Sequence, residues 1–385
     1  MIKNKILVFV PNYLPGYKAG GILRTIANTV QWLNCDFDFL IVTRDRDLGD
    51  SLTYPDIIVN EWQEVHGAKV MYLSPENISL SSLVKIVNDT EHDLIYLNSF
   101  FDSFFTIRLL LAKRFGLIAN KQIILAPRGE FVEGCLRFKY LKKILYIYIS
   151  KWLGFYSNVI WHASSKYELT DFINVVKVNP KDVRIALDLP VAKSLDFPHY
   201  QFSDGPLRIV FLSRITREKN LDYALTVLNE IKSSVVFDIY GPNEDPKYWH
   251  KCCELIKGLP ENIIVNYFGS VHPGQVPEIF NKYDIFFFPT RGENYGHVIA
   301  EAISVGTRVL VSRNTPWLNL EDDFLGWDVN LEDHNSFVRV LENVATESIE
   351  TRYKRRLVTR KNANKRLMDI NVLYQNKELF KTVLD

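Results

Sequence analysis

Asp284-Ile-Phe-Phe-Phe-Pro289-Thr-Arg291-Gly-Glu293-Asn-Tyr-Gly-His297-Val-Ile-Ala-Glu301-Ala-Ile-Ser-Val-Gly306-Thr-Arg308-Val-Leu-Val-Ser312 decides the fold class of this chain. The apolar run before Pro289 and the β-branched run Arg308–Ser312 both have the composition of buried strands. His297–Val305, between them, carries helical spacing. The stretch reads strand, loop, helix, turn, strand. Glu293 then lies in the loop at the mouth of the helix, and Glu301 lies two turns in. A ligand with many hydroxyls and a diphosphate, laid across that helix start, would meet two carboxylates that accept from hydroxyls. It would also meet backbone N–H groups suited to anionic oxygens. The plain alternative is an ordinary βαβ unit, with Glu293 favoured by the helix dipole and Glu301 solvated.

Outward from this unit, short β-rich runs recur at helix-length intervals. The first half predicts strands at Lys5–Val10, Phe39–Thr43, Val70–Leu73, Leu94–Asn98, Ile123–Ala126, Val159–His162 and Val183–Leu187. The second half predicts Leu207–Ser213, Val235–Tyr240, Ile263–Phe268, Ile285–Phe288 and Arg308–Val311. Helical spacing falls between them, at Ile22–Leu33, Ser81–Val87, Leu221–Ile231 and His297–Val305, and the tail Glu347–Leu384 reads as basic helix. Alternating β and α segments predict α/β architecture with parallel sheets covered on both faces. A chain of 385 residues fits two domains of about 190 residues each. Asp196–Pro206 has two prolines and no period, so it is the expected linker. The expected domains are 1–198, 199–365 and a final helical segment 366–385.

Bulk properties exclude several classes. Apolar residues are 47% of the chain, with 24 Phe and 19 Tyr, enough for two cores. The formal net charge of +1 gives no global attraction to nucleic acid, and no nucleic-acid partner is expected. Cys35, Cys135, Cys252 and Cys253 make neither a metal spacing nor a disulfide framework, which points to a reducing compartment. The first apolar stretch stops at Pro11, too short for a signal peptide, and no run approaches a membrane span. The expectation is a cytoplasmic protein, soluble or peripheral.

Pro289 to Ile299 followed by Thr315-Pro316-Trp317 resembles the nucleotide-binding signature of retaining glycosyltransferases of the GT-B fold. These form the large family four, the glycosyl transferases group 1. A subset of that family carries Pro-Thr-x-Gly-Glu-Asn-aromatic-Gly-His-Val-Ile and then Thr-Pro-Trp. The resemblance extends, more weakly, over nearly the whole chain. It implies two Rossmann-like domains facing across a cleft, the first taking the acceptor and the second a nucleotide-sugar donor. It also implies a last helix that crosses back to the first domain.

Candidate site residues follow. Arg214 and Lys219 sit at a strand end before a helix. Fixed cations there would stabilise the charge that builds on a departing diphosphate, and the resemblance places an Arg and a Lys in this loop with that role. Glu293 is the third catalytic candidate. Asn294, Tyr295, Gly296, His297 and Glu301 are assigned to donor binding; His297 suits a phosphate donor and a solvent-side residue equally. Gly20-Gly21 follows the first strand. Paired glycines there serve a local turn or a close approach to a ligand, and the resemblance places such a pair beside the donor phosphates. Many relatives carry a histidine near Ala126–Glu130, where this chain has Arg128. Arg128, Glu130, Asn98 and His162 are therefore the weaker candidates for acceptor or sugar contact, with His162 read first as structural. Asp36-Phe-Asp38 and Asp45-Arg-Asp47 spell a metal-binding pattern, but they lie around an early strand and read better as turns. No metal or cofactor is expected.

The resulting reading is a retaining, metal-independent transferase. It moves a sugar from a nucleotide diphosphate sugar to a hydroxyl of a lipid-linked surface glycan such as lipopolysaccharide, O-antigen or capsule. The rivals are a nucleotide-sugar epimerase and a non-catalytic accessory subunit of the same fold. Residues 137–152 mix basic and large apolar side chains and are the expected contact with an anionic membrane face. Within them, the apolar run Ile144–Ile149 is expected to be buried.

Overall fold

A computed structural model describes residues 3–132, 136, 140–191 and 205–384. The chain forms two compact units, Met1–Ala192 with Ile370–Asp385, and Lys193–Asp369. Of the expected linker, residues 196–204 lie outside the described residues.

The first unit holds an eight-stranded sheet. Its strands are β1 Asn4–Phe9, β2 Phe37–Arg44, β3 Trp62–Val65, β4 Ala68–Leu73, β5 Leu94–Asn98, β6 Gln122–Ala126, β7 Val159–Ala163 and β8 Val183–Ile185. The order is β3-β4-β2-β1-β5-β6-β7-β8, and only the β3–β4 pairing is antiparallel. Strand β1 shows why its sequence is apolar throughout. Ile6 and Val8 enter one core with Ile26, Val30 and Phe380, while Leu7 and Phe9 enter the other with Leu83, Leu109 and Phe172. Side chains alternate across the sheet and both faces are covered, so both sets must be apolar.

The second unit holds a six-stranded sheet, parallel throughout. Its strands are β9 Leu207–Leu212, β10 Val235–Tyr240, β11 Ile263–Gly269, β12 Ile285–Phe288, β13 Arg308–Ser312 and β14 Gly326–Val329. The order β11-β10-β9-β12-β13-β14 reverses direction between β9 and β12. That is the doubly wound dinucleotide-fold order, whose ligands bind beyond the carboxyl ends of the strands at the reversal.

All the predicted strands are present, and two that were not predicted join them. β3 escaped because its hairpin turn is His66-Gly67, both with positive φ (48° and 89°), rather than an Asn-Gly signal. β14 is four residues long and starts on Gly326. Leu221–Ile231 was expected to be helical throughout. The helix ends at Leu228, because Glu230 and Ile231 bond back three residues, to Val227 and Leu228, and tighten the chain into a turn. The basic tail is two helices, Ile349–Leu367 and Ile370–Leu384, and their junction coincides with the boundary between units.

The helix Tyr140–Trp152 departs from expectation. Ile147 and Ser150 are buried, but Leu145, Tyr148 and Ile149 are exposed. The run Ile144–Ile149 is apolar all round because one side packs inward and the other faces solvent. Residues 137–139 of the expected membrane segment lie outside the described residues.

Candidate functional site

Lys219 follows β9 and Glu293 follows β12, the two strands between which the second sheet reverses. Their side chains meet: Lys219 Nζ donates to Glu293 Oε1, and each side chain is only 14% exposed. Lys219 Nζ also lies 5.7 Å from the centroid of the Phe288 ring at the end of β12. Two residues 74 positions apart in the chain are thus paired at the point where the fold puts its ligands.

The loops that carry this pair are tied from several sides. Asn220 takes a left-handed turn (φ 63°) to start the helix Leu221–Leu228, and its Nδ2 donates to Pro289 O at 2.9 Å. Arg291 N and Thr290 Oγ1 both donate to Glu218 O, at 2.8 and 3.0 Å. From the other side, Ser312 Oγ at the end of β13 donates to Thr290 O, and Glu293 N donates to Asn314 O at 3.1 Å. The Lys219 loop and the Glu293 loop are therefore one hydrogen-bonded body, which holds both charged groups in place before any ligand arrives.

Next along the chain, Gly296 has φ 81° and caps the helix His297–Ser304 with no side-chain hydrogen bond. A Cβ at Gly296 would stand 3.0 Å from Ile299 Cδ1 and 3.5 Å from Trp317 Nε1. Glycine satisfies both the backbone and the space, and leaves the first amides of the helix without a side-chain cap. Trp317 Nε1 donates to Tyr295 O at 2.6 Å, and Tyr295 packs against the rings of His297 (4.7 Å) and Trp317 (5.6 Å). The Thr-Pro-Trp string is thus a lock on the Asn294–Gly296 loop. Asn294, His297 and Glu301 are half-buried around it.

Arg214 is placed differently. It is exposed, and its Nη1 donates at 3.0 Å to Glu244 in the loop after β10. That loop is zipped to the one after β9: Ser213 N donates to Tyr240 O and Ile215 N to Pro242 O, at 3.0 and 2.9 Å. Gly241 (φ 137°) permits this approach, since a Cβ there would fall 1.7 Å from Ser213 O.

In the first unit the reversal lies between β1 and β5. After β1, Gly20 (φ 72°) caps the helix Gly21–Leu33 without a side-chain bond, and a Cβ on Gly20 or Gly21 would meet nothing within 4 Å. The same loop is anchored by Asp47, whose Oδ2 accepts from the amides of Tyr17 and Lys18 at 2.7 and 3.0 Å. Asp45 holds the adjacent Arg46 and Asp36 holds Lys377 on the last helix, while Asp38 lies in β2 rather than in the expected turn, so the acidic groups of both D-x-D strings have structural roles. Among the described residues no cluster of three or more His, Cys, Asp or Glu side chains could hold a metal.

Asn98, Arg128 and His162 come together in one buried network. Arg128 (φ 59°) donates to Asn98 Oδ1 at 3.0 Å, to Asp188 Oδ1 at 2.8 Å and to the Tyr96 hydroxyl at 2.5 Å. The Tyr96 hydroxyl bonds His162 Nδ1 at 2.7 Å, and His162 Nε2 faces Ala186 O at 2.8 Å. Nε2 must donate to the carbonyl, so Nδ1 accepts from tyrosine and the ring is neutral. Burial, then the Arg128 charge, push the His162 pKa down to about 4. Glu130 accepts from Ser99 Oγ and from the amides of Phe100 and Phe101, at 2.6, 2.6 and 2.9 Å, and burial pushes its carboxyl above the usual range against those bonds. Glu168 likewise accepts from Gly129 N and from Ser164, and burial raises its pKa. These groups brace the strand ends β5 to β8 against one another. Tyr96 and Asp188 were not singled out in the sequence, because an aromatic in a strand and an aspartate after one carry no local signal.

Residues 193–366 match the model of the family glycosyl transferases group 1. Over 318 residues the chain is 26% identical to an uncharacterized 41.2 kDa protein in the cps region of Klebsiella pneumoniae, covering 78% of this chain and 84% of that one. Among solved structures it is similar to Anabaena HepE in complex with UDP and glucose, with TM-score 0.69, 13% identity, and 98% and 100% of the two chains covered. It is also similar to a glycosyltransferase from Rickettsia africae, with TM-score 0.70, 14% identity and 100% and 99% coverage. WaaG, a glycosyltransferase involved in lipopolysaccharide biosynthesis, matches with TM-score 0.64, 13% identity and 98% and 99% coverage. The fold is GT-B. The family model and the fold together support a glycosyltransferase.

Proposed function

We propose that the protein is a retaining glycosyltransferase that moves a sugar from a nucleotide diphosphate sugar to a hydroxyl of a lipid-linked surface glycan. The observation that carries this reading is the Lys219–Glu293 pair at the strand reversal of the second sheet. An ammonium and a carboxylate held side by side match the two halves of such a donor. Glu293 accepts from the sugar hydroxyls, and Lys219 faces the diphosphate, with Arg214 as a second cation. The uncapped helix start at Gly296 offers amides to phosphate oxygens, and Glu301 accepts from the ribose. The protein in the cps region and the lipopolysaccharide enzyme among its likenesses favour a surface glycan as the acceptor.

In the reaction, the bond from the anomeric carbon to the diphosphate oxygen breaks, and its electron pair leaves with the diphosphate. The acceptor oxygen bonds the same carbon on the same face, and its proton passes to the departing phosphate oxygen. Charge builds on the diphosphate, where fixed cations stabilise it. The two cations serve where other transferases use a divalent ion.

A panel of nucleotide sugars, incubated with and without glycan acceptors, tests the reading. Nucleotide released in proportion to acceptor, with a product of retained anomeric configuration, is expected. An altered nucleotide sugar formed without acceptor would instead identify an epimerase. Binding without turnover across the panel would identify an accessory subunit.

A further inference from the structure

The helix Tyr140–Trp152 presents an apolar stripe that nothing among the described residues of the first unit covers. Leu141 is 81% exposed, Leu145 59%, Tyr148 73% and Trp152 80%. At 100° per residue these four project within about 60° of one another, along about 16 Å of helix. Lys142 falls on one flank of the stripe and Lys151 on the other, and both are exposed. The opposite side is well seated, with Ile147 and Ser150 buried and Tyr146 packed on Phe100 and Phe101. The stripe is therefore the outer face of a firmly docked helix.

A shallow groove of about 310 Å³ adjoins its end, lined by Lys113, Arg114, Asn120, Trp152 and Phe155 among others. Lys113 Nζ donates to Ser157 O and Asn158 O, at 3.2 and 2.9 Å. Exposed Phe115 and Leu117 continue the apolar surface beside it. Across residues 113–121 and 140–158 the sequence has Lys113, Arg114, Lys121, Lys142, Lys143 and Lys151, and no aspartate or glutamate.

We infer that this face docks the protein on the surface of an anionic lipid bilayer. The stripe would lie in the plane of the interface, with Trp152 at headgroup level and the flanking lysines on the phosphates. Exposed leucines beside tyrosine and tryptophan suit the boundary between headgroup and acyl chain. A purely basic rim suits anionic lipid. The same rim disfavours a second copy of this chain, because two such faces would repel across the contact. The helix is 13 residues long, about 20 Å, well short of the about 30 Å of a hydrocarbon core, so it would lie on the bilayer. This inference stands on exposure and charge and does not depend on the transferase reading.

The test is flotation with vesicles of neutral phosphatidylcholine, and with vesicles in which about a third is phosphatidylglycerol. Three full-length proteins are compared: the unaltered protein, Lys142→Glu/Lys151→Glu, and Leu145→Ser/Tyr148→Ser/Trp152→Ser. The altered side chains are exposed, so unchanged thermal unfolding is expected and serves as the folding control. The unaltered protein should bind anionic vesicles and release at high salt. The charge variant should lose about thirty-fold or more in partitioning, and the apolar variant at least ten-fold. Nucleotide-sugar turnover with a water-soluble acceptor should be equal in all three, which separates failure here from failure of the transferase reading. Equal binding to neutral and anionic vesicles, no binding at low salt, or binding untouched in the apolar variant would overturn the inference. So would sedimentation showing that the unaltered protein is a dimer which the apolar variant disrupts, since the stripe would then be a contact between copies.

Discussion

Glu293 spends its charge on Lys219 in the structure, and our reading asks it to accept sugar hydroxyls during turnover. Glu293→Gln keeps the shape of the side chain and the backbone N–H bond of residue 293 to Asn314 O. It should lower kcat/KM by about 2–4 kcal/mol in transition-state terms, a factor of roughly thirty to a thousand, while circular dichroism stays unchanged. Full activity in the folded variant would remove Glu293 from the mechanism. The two cations should differ. Lys219 is 14% exposed and Arg214 is 49% exposed, so Lys219 acts in the less screened place. Lys219→Ala should therefore cost more turnover than Arg214→Ala, and chelator should change neither variant nor the parent. Activity abolished by chelator and restored by a divalent metal would reverse that assignment. Lys219 and Glu293 were legible because each ends a recognisable strand and stands in a specific string. The Glu244 partner of Arg214 was not, because the zipping of the loops after β9 and β10 depends on a close backbone approach at Gly241, which leaves no mark in the letters around it.

At the scale of elements, strands were legible where both faces are buried, since continuous apolar runs such as Ile6–Phe9 and Phe286–Phe288 announce themselves. The misses, β3 and β14, are edge strands held by special turns, and the Tyr140–Trp152 helix was misjudged because apolarity all round does not say which side is covered. The network that joins β5 to β8 was hidden for another reason: its members come from four strand ends and meet only in three dimensions. His162 makes that network sensitive to acid. Its folded pKa of about 4 lies below the unfolded value of about 6.5, so below pH 6.5 the unfolded chain binds more protons. The stability from neutral His162 is complete above about pH 6.5 and is lost progressively as pH falls toward 4. Between pH 7 and pH 5 the first unit should lose about 2 kcal/mol through this group. Glu130 and Glu168, whose folded pKa values are raised, act in the opposite sense, so the measurement is a difference. Urea unfolding of the first unit at pH 7 and pH 5 should show a steeper loss in the parent than in His162→Gln. Equal slopes would show that His162 is not the group responsible.

The whole molecule is not two consecutive beads. The chain leaves the first unit at Ala192, builds the second from Lys193 to Asp369, and returns for its last helix. That helix is tied into the first unit by three kinds of contact. Lys377 pairs with Asp36 at 2.8 Å, and Asn376 Nδ2 donates to Leu187 O at 2.7 Å. Phe380, fully buried, packs edge-on against Phe37, Phe39 and Tyr96 at 5.5, 6.0 and 5.4 Å. Tyr96 is also the hydroxyl between Arg128 and His162, so the chain end props the strand that carries the polar network. Phe380→Ala removes a ring from a closed aromatic cluster and should cost about 3–5 kcal/mol. The cost should fall on the first unit alone. Amide exchange in β1, β2 and β5 should quicken while β9, β12 and β13 keep their protection, because the second unit closes its own core around Phe286, Leu310 and Ile299. Removal of residues 370–385 should produce the same pattern more strongly, and exchange that rises equally in both sheets would show that the units unfold as one.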